Sequence, residues 1–390
     1  MADIGNSRME MGPGELKAAR RARAVATQQL GYTFTVDALL QKQLVICVGC
    51  GGVGKTTTAA ALAVAGALRQ RRAGVITVDP ARRLKDALGL DGLSVEPHRV
   101  AVADAHFDAL ALDAKRTFDA IIQRFAPSAA AAARILDNRL YQEISNGLAG
   151  SAEYMAMEKL HELLREQRYD VLIVDTPPST HARDLLAAPN RLVNLLASRA
   201  VSFLKAPASL LSGTDSALGR VTLSALLKAL QRWTGLNLLH DLADFVSGFE
   251  DMIEGFSQRA DEVNQLLRAS STAFVLVTTP EPHTIETTIG FHRELLEGGF
   301  RVAGIIANRV LAFPRLRDPH SAANGWEEPL RGKLVRTYDE LHTLSRRDRQ
   351  ALKRLHSETY APLLAAIPAI PEAPTSMAGL ERFARLLLPV

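Results

Sequence analysis

The sequence predicts an α/β fold: a mostly parallel sheet flanked by helices, with a helical insertion. Three observations carry that expectation. Short apolar runs rich in valine and isoleucine recur at residues 44–48, 75–78, 171–175, 273–277 and 302–308, and continuous apolar runs of this length are what strands buried on both faces require. Alanine-rich or amphipathic stretches alternate with these runs, as crossovers between parallel strands demand. From about residue 189 to 268 the periodicity turns helical and strand signals are few.

The first run leads into Gly49-Cys50-Gly51-Gly52-Val53-Gly54-Lys55-Thr56, and an alanine-rich stretch from Thr57 to Gln70 follows. This order of strand, glycine-rich loop and helix is the phosphate-loop pattern, so the sheet is expected to be of the P-loop NTPase kind. Four glycines let the backbone turn tightly and bring its N–H groups up to phosphate oxygens, at the positive end of the following helix. Lys55 is expected to hold the β- and γ-phosphates and the Thr56 hydroxyl to coordinate magnesium. Gly51, Gly52, Val53, Gly54 and Thr57 complete the nucleotide cradle.

The second run ends in Asp79-Pro80-Ala81-Arg82-Arg83-Leu84. An acidic residue at the carboxyl end of a parallel strand sits where open sheets bind ligands, so Asp79 is placed to meet a γ-phosphate. A short strand at residues 110–113 should lead into a helix through Phe118 and Ile122, and the alanines at 129–133 should be helical. An amphipathic helix over residues 152–166 precedes the run ending in Asp175-Thr176-Pro177-Pro178. There, Asp175 is expected to hold a water on magnesium. In the helical stretch, Leu223, Leu226, Leu227, Leu230 and Trp233 mark one apolar face; Leu238, Leu242, Phe245, Phe249, Met252 and Phe256 mark another. They either pack together or form a groove for a client's apolar helix. The strand at residues 302–308 ends in Asn308, whose amide can pair with both edges of adenine. An arginine-rich helical insertion at about residues 310–360, a last strand and a terminal helix from Met377 close the chain. Domain boundaries follow: an extension over residues 1–42, then one ATPase domain over 43–390 with insertions at about 189–268 and 310–360.

A net charge of +4 is spread along 390 residues without a dominant block, which gives no reason to expect nucleic acid. The longest apolar region, residues 192–211, is broken by Arg199 and Lys205, and no leader pattern opens the chain. Neither a transmembrane segment nor export is expected, and the location is read as cytoplasmic. The two cysteines, Cys47 and Cys50, form a C-x-x-C match, but no further cysteine exists to complete a metal site, and both fall within the strand and loop.

Taken in order and spacing, the loop at residues 49–58, Asp79-Pro80-Ala81, the segment from Asp175 to His181, Asn308 and the closing Ile367-Pro368 loop resemble the ArsA-type ATPases, which include arsenite pumps and tail-anchored-protein-targeting factors. The resemblance covers about residues 43–390. It extends to bacterial, arsenite-independent members, where the second switch also reads Asp-Thr-Pro-Pro and is preceded by Glu-Tyr-Met-Ala, here residues 153–156. It implies ATP and ADP as ligands with Mg2+, Asp79 orienting the attacking water, Asp175 supporting the metal, Asn308 holding adenine and Pro371 flanking the base. It implies a homodimer, or a heterodimer with a related ATPase, whose switches rearrange on hydrolysis. Three departures stand out. Cys50 replaces a lysine that in the family reaches the partner's nucleotide; the zinc-binding Cys-x-x-Cys that follows Asn308 in eukaryotic members is missing; and the metalloid-binding thiols of the pumps are missing, so metalloid export is not expected.

Overall fold

The computed structural model describes residues 35–78, 83–138, 141–142, 151–177, 255, 258–311, 326–370 and 374–388. Asp79, Arg82, Pro371, the second switch beyond Pro177 and both apolar faces expected in the helical insertion lie outside the described residues.

A five-residue helix α1 (Val36–Leu40) opens the described chain, with the Thr35 hydroxyl accepting from the Ala38 N–H at 3.2 Å. Then come β1 (Leu44–Val48), α2 (Lys55–Leu68), β2 (Ala73–Thr77), α3 (Arg83–Leu88), β3 (His98–Val102) and β4 (Ala105–Ala111). After β4 follow α4 (Ala114–Phe125), α5 (Ala129–Asp137), α6 (Ser151–Arg165) and β5 (Val171–Asp175). The last part holds β6 (Thr272–Thr278), α7 (Pro282–Glu297), β7 (Val302–Val310), α8 (Glu328–Thr359), β8 (Leu363–Pro368) and α9 (Met377–Leu387).

The eight strands form one sheet in the order β3-β4-β2-β5-β1-β6-β7-β8. Every neighbouring pair is parallel except β3 and β4. From β1 the chain first builds one side of the sheet, comes back to lay β5 against β1, and then crosses to build β6, β7 and β8. The carboxyl ends of β5, β1 and β6 therefore meet where the direction of winding reverses, the position at which open α/β sheets bind ligands.

Apolar runs become strands here because both faces are covered: β1, β2, β5 and β6 are buried along their whole length. Helix α2 is buried from Thr58 to Ala67, between the sheet and α9. Its alanines suit that place, since small side chains let a helix lie close to neighbours on more than one side. One edge differs from expectation. The short strand expected at residues 110–113 is the end of a longer β4, hairpinned to β3 through Ala103, whose φ of 48° is left-handed. Alternating burial along β3 marks it as a half-exposed edge strand, and its turn lacks the glycine or asparagine that advertises such hairpins.

The chain divides into two compact units. The first carries the sheet and the described residues within 35–111, 167–177 and 270–388. Its segments are cross-tied: Asp170 takes two charge-assisted bonds from the Arg72 guanidinium, at 2.6 and 3.1 Å, and these hold the Asp170 carboxyl below its ordinary range. The second unit contains α4, α5, α6 and a helical stretch over 258–268. Within it the buried pair Glu158–Arg259, 3.1 Å apart, is roofed by Phe125, whose ring centroid lies 3.6 Å from the guanidinium.

Candidate functional site

The loop between β1 and α2 is shaped by backbone demands. At Gly49 any side chain would sit on the Val277 carbonyl oxygen of β6. Gly54, the residue before α2, has φ 90° and lies so close to Asn308 that a Cβ would come within 2.6 Å of its Nδ2. Glycine is the residue that meets both conditions without strain. Gly51 and Gly52 are exposed at the tip, Val53 is buried beneath it, and Thr56 and Thr57 are half-buried at the head of α2.

Lys55, only 6% exposed, turns its ammonium back onto the loop, donating to the carbonyls of Gly49 at 2.9 Å and Cys50 at 2.8 Å. A buried ammonium needs such acceptors. The side chain is thus held inside the loop, where phosphate oxygens can replace the carbonyls.

Asp175 ends β5 directly beside Cys47 of β1 on one side and Thr77 of β2 on the other. It is fully buried, and its Oδ2 accepts from the Thr77 hydroxyl at 3.0 Å. The next residue, Thr176, donates its hydroxyl to the Cys47 carbonyl at 2.7 Å and so ties the exit of β5 to the strand that feeds the loop. These two threonines are parts of the site that sequence reasoning missed. Thr77 left one signal, a polar residue inside an otherwise apolar buried strand; Thr176 stands in the Asp-Thr-Pro-Pro motif, which gave it no role of its own.

Asn308 reaches the loop from β7. Its Nδ2 donates to the Val53 carbonyl at 2.9 Å and to the Thr58 hydroxyl at 3.2 Å, while its Oδ1 is buried without a hydrogen-bond partner among the described residues. The Val53 contact fixes which end of the amide is nitrogen, because a carbonyl oxygen accepts only from a donor. In this arrangement Asn308 supports the loop from below.

The thiols are separated by environment. Cys47 is fully buried, and burial first, then the Asp175 carboxylate, push its pKa far above the ordinary thiol range. Cys50 is half-buried in the loop. Among the described residues no group of three or more His, Cys, Asp or Glu is arranged to hold a metal.

Lys55, Thr56, Asp175 and Asn308 are therefore brought to one end of the sheet, around the loop at the switch point. A mostly parallel sheet with such a loop at its central strand defines a P-loop NTPase-like protein. The chain belongs to the ArsA ATPase family, described as anion-transporting ATPases, whose family model matches residues 42–342. It is similar to the "ATPase GET3" of Malassezia globosa, with 27% identity over 70% of this chain and 75% of that protein. An "ATPase ASNA1 homolog" of Trypanosoma cruzi is 24% identical over 89% of this chain and 91% of its own length. A shorter likeness, 30% identity over 36% of this chain and 42% of the relative, links it to "ATPase ASNA1 homolog 1" of Paramecium tetraurelia. No helix among the described residues is long and apolar enough to cross a membrane.

Proposed function

We propose that the protein is a cytoplasmic ATPase that hydrolyses Mg-ATP and couples hydrolysis to movement of two switches, after Asp79 and after Asp175, and of a dimer interface, without acting as a metalloid pump. The observation that carries this reading is the loop itself, with a lysine ammonium held on the Gly49 and Cys50 carbonyls and a buried carboxylate at the end of the adjacent strand.

The cradle fits a triphosphate. Its tip is free of side chains at Gly51 and Gly52, and it opens at the N-terminus of a 14-residue helix, where the dipole favours anions. Thr56 would hold magnesium directly and Asp175 through a water; the ion's contribution is to neutralise charge on the phosphates. Lys55 would exchange its two carbonyls for phosphate oxygens. Asp79 would orient the attacking water, and Asn308 and Pro371 would border adenine. The domain limits that accompany this reading are an extension over residues 1–42 and an ATPase domain over 43–390.

Cys50 favours a second reading of the same site. A thiol supplies no charge to a partner's nucleotide, and a missing cation of that kind can cost about 10³ to 10⁵ in rate. On that reading the chain is a low-activity nucleotide-binding subunit, paired with a related ATPase that provides the lysine. A targeting role, with an apolar client helix held by the Leu238 to Phe256 face, is a use of the same cycle.

The test is nucleotide binding and turnover of purified Lys55→Ala and Asp79→Asn chains. Lys55→Ala should lose ATP binding with its circular dichroism unchanged, and Asp79→Asn should bind ATP but fail to turn it over. Wild-type affinity in Lys55→Ala would overturn the site. Negligible turnover in the unaltered chain, restored by a related ATPase, would select the second reading.

A further inference from the structure

Among the described residues, those other than glycine with a left-handed backbone are Gln70, Ala103, Gln167, Arg309 and Tyr360. Four are accounted for by where they stand. Gln70, Gln167 and Tyr360 follow the ends of α2, α6 and α8, where a left-handed residue closes a helix, and Ala103 makes the β3–β4 turn. Arg309 alone lies within a strand, next to last in β7, with φ 55°. A bulge sits there: Ala307 pairs with Ala366 and Val310 with Pro368, so Asn308 and Arg309 together face Ile367. Bulges recur beside functional sites because they re-aim a side chain, and strained backbone clusters at ligand clamps.

The re-aimed side chain is one that the fold itself leaves unused. Asn308, one residue earlier, holds its amide under the phosphate loop, so plain alternation would send Arg309 to the opposite face of the sheet, away from α2. The bulge breaks that alternation. Arg309 is exposed and enters no hydrogen bond, ion pair or ring contact among the described residues. Asp348, the carboxylate tied to the exit of this strand, accepts the Leu311 N–H at 2.9 Å and pairs with Arg347 at 3.2 Å, so it is occupied. On the β8 side the strand end is closed by the Ala369 N–H, which donates to the Val310 carbonyl at 3.1 Å, and bordered by the half-buried Pro368.

We propose that Arg309 is a base-stacking residue of the nucleotide site, its planar guanidinium laid on the face of the purine ring. The inference rests on the nucleotide-binding reading given above. The phosphate loop hangs from β1, and β7 lies two strands away, about 10 Å at the spacing of a sheet. It is β7 that sends a side chain to the loop, Asn308 to the Val53 carbonyl at 2.9 Å, so a base extending from the loop toward β7 meets Arg309 next. Arginine suits a ring face because it is flat, always charged and drawn to the electron-rich plane of an aromatic ring. A phosphate would be served as well by lysine, and Lys55 with the N-terminus of α2 fills that part. Asn308 and Arg309 then divide the base between them, an amide at its edge and a guanidinium over its plane.

Equilibrium binding of ATP and of inorganic tripolyphosphate to the full chain tests this, since tripolyphosphate offers the loop its phosphates without a base. Arg309→Ala should weaken ATP binding by about tenfold and leave tripolyphosphate binding unchanged. Arg309→Lys should recover little of the loss, because an ammonium lacks the flat face. Arg309→Gly takes the left-handed backbone without strain, so it keeps the test valid should the alanine variant fold poorly, and it should show the same loss. Parental ATP affinity in the alanine and glycine variants, an equal fall for both ligands, or full rescue by lysine would overturn the assignment. A parent chain that binds neither ATP nor tripolyphosphate would overturn the nucleotide reading itself, and this inference with it. Lys55→Ala separates the two, because it should lose both ligands where Arg309→Ala loses affinity for one.

Discussion

Asn308 supports the loop, and the adenine contact proposed for it would draw on the same atoms. Its amide donors are engaged by the Val53 carbonyl and the Thr58 hydroxyl, which lie 255 and 250 residues away in sequence. Substitution by aspartate removes both donors and sets a carboxylate oxygen against the Val53 carbonyl. Asn308→Asp should therefore cost about 2–3 kcal/mol in chemical denaturation and weaken nucleotide binding as the loop relaxes. Asn308→Ala should cost less, because it leaves Val53 and Thr58 without a donor but adds no repulsion. Loss of adenine selectivity with unchanged stability would assign the residue to the base alone. The sequence marks Asn308 as a polar residue ending an apolar strand, which suffices to make it a candidate. It cannot disclose a bond that depends on two strands being separated by one other. The same limit hid Thr77 and Thr176, whose partners are neighbours only through sheet register.

Elements were legible where burial is uniform. The central strands and the loop helix fall within a residue or two of where their apolar and alanine runs predict, because burial on both faces removes any ambiguity of register. The β3–β4 hairpin was missed because its strands are half-exposed and its turn is built on Ala103. Helix α7 offers a pH test. His292 is 8% exposed, and burial lowers its pKa below the ordinary histidine value. The unfolded chain thus binds this proton more readily than the folded one. Its contribution to stability is complete above about pH 6.5 and declines as pH falls toward the lowered value. Thermal melting should show this decline, and His292→Leu should flatten it over the same window. An unchanged acid slope in that variant would shift the effect to other groups.

At the scale of the molecule, ligand binding and folding are linked through the first unit, since the loop, β5 and β7 are drawn from three separate stretches of chain and close around one point. A ligand that binds only this closed arrangement stabilises it by about 2.7 kcal/mol at a hundredfold excess over Kd. Mg-ATP should raise the melting temperature of the sheet-bearing unit, and Lys55→Ala should abolish the increment; an equal shift in both chains would move binding elsewhere. The family and the sheet were legible at this scale because ordered motifs fix both. That residues 112–166 group with a second unit was not, because helices such as α4 and α6 have a periodicity that resembles that of ordinary crossovers.

The burial that silences Cys47 has a practical side. Of the chain's two thiols, one is sealed in the central strand with its proton held tightly, and the other, Cys50, sits in the loop with its own carbonyl bound to the lysine ammonium. A thiol-directed dye thus has one address on the folded molecule, next to the lysine ammonium that the proposed function would hand over to phosphate. Natural sequence alone has equipped the loop with a single labelling site, on which the proposed binding of nucleotide can be read without engineering a cysteine.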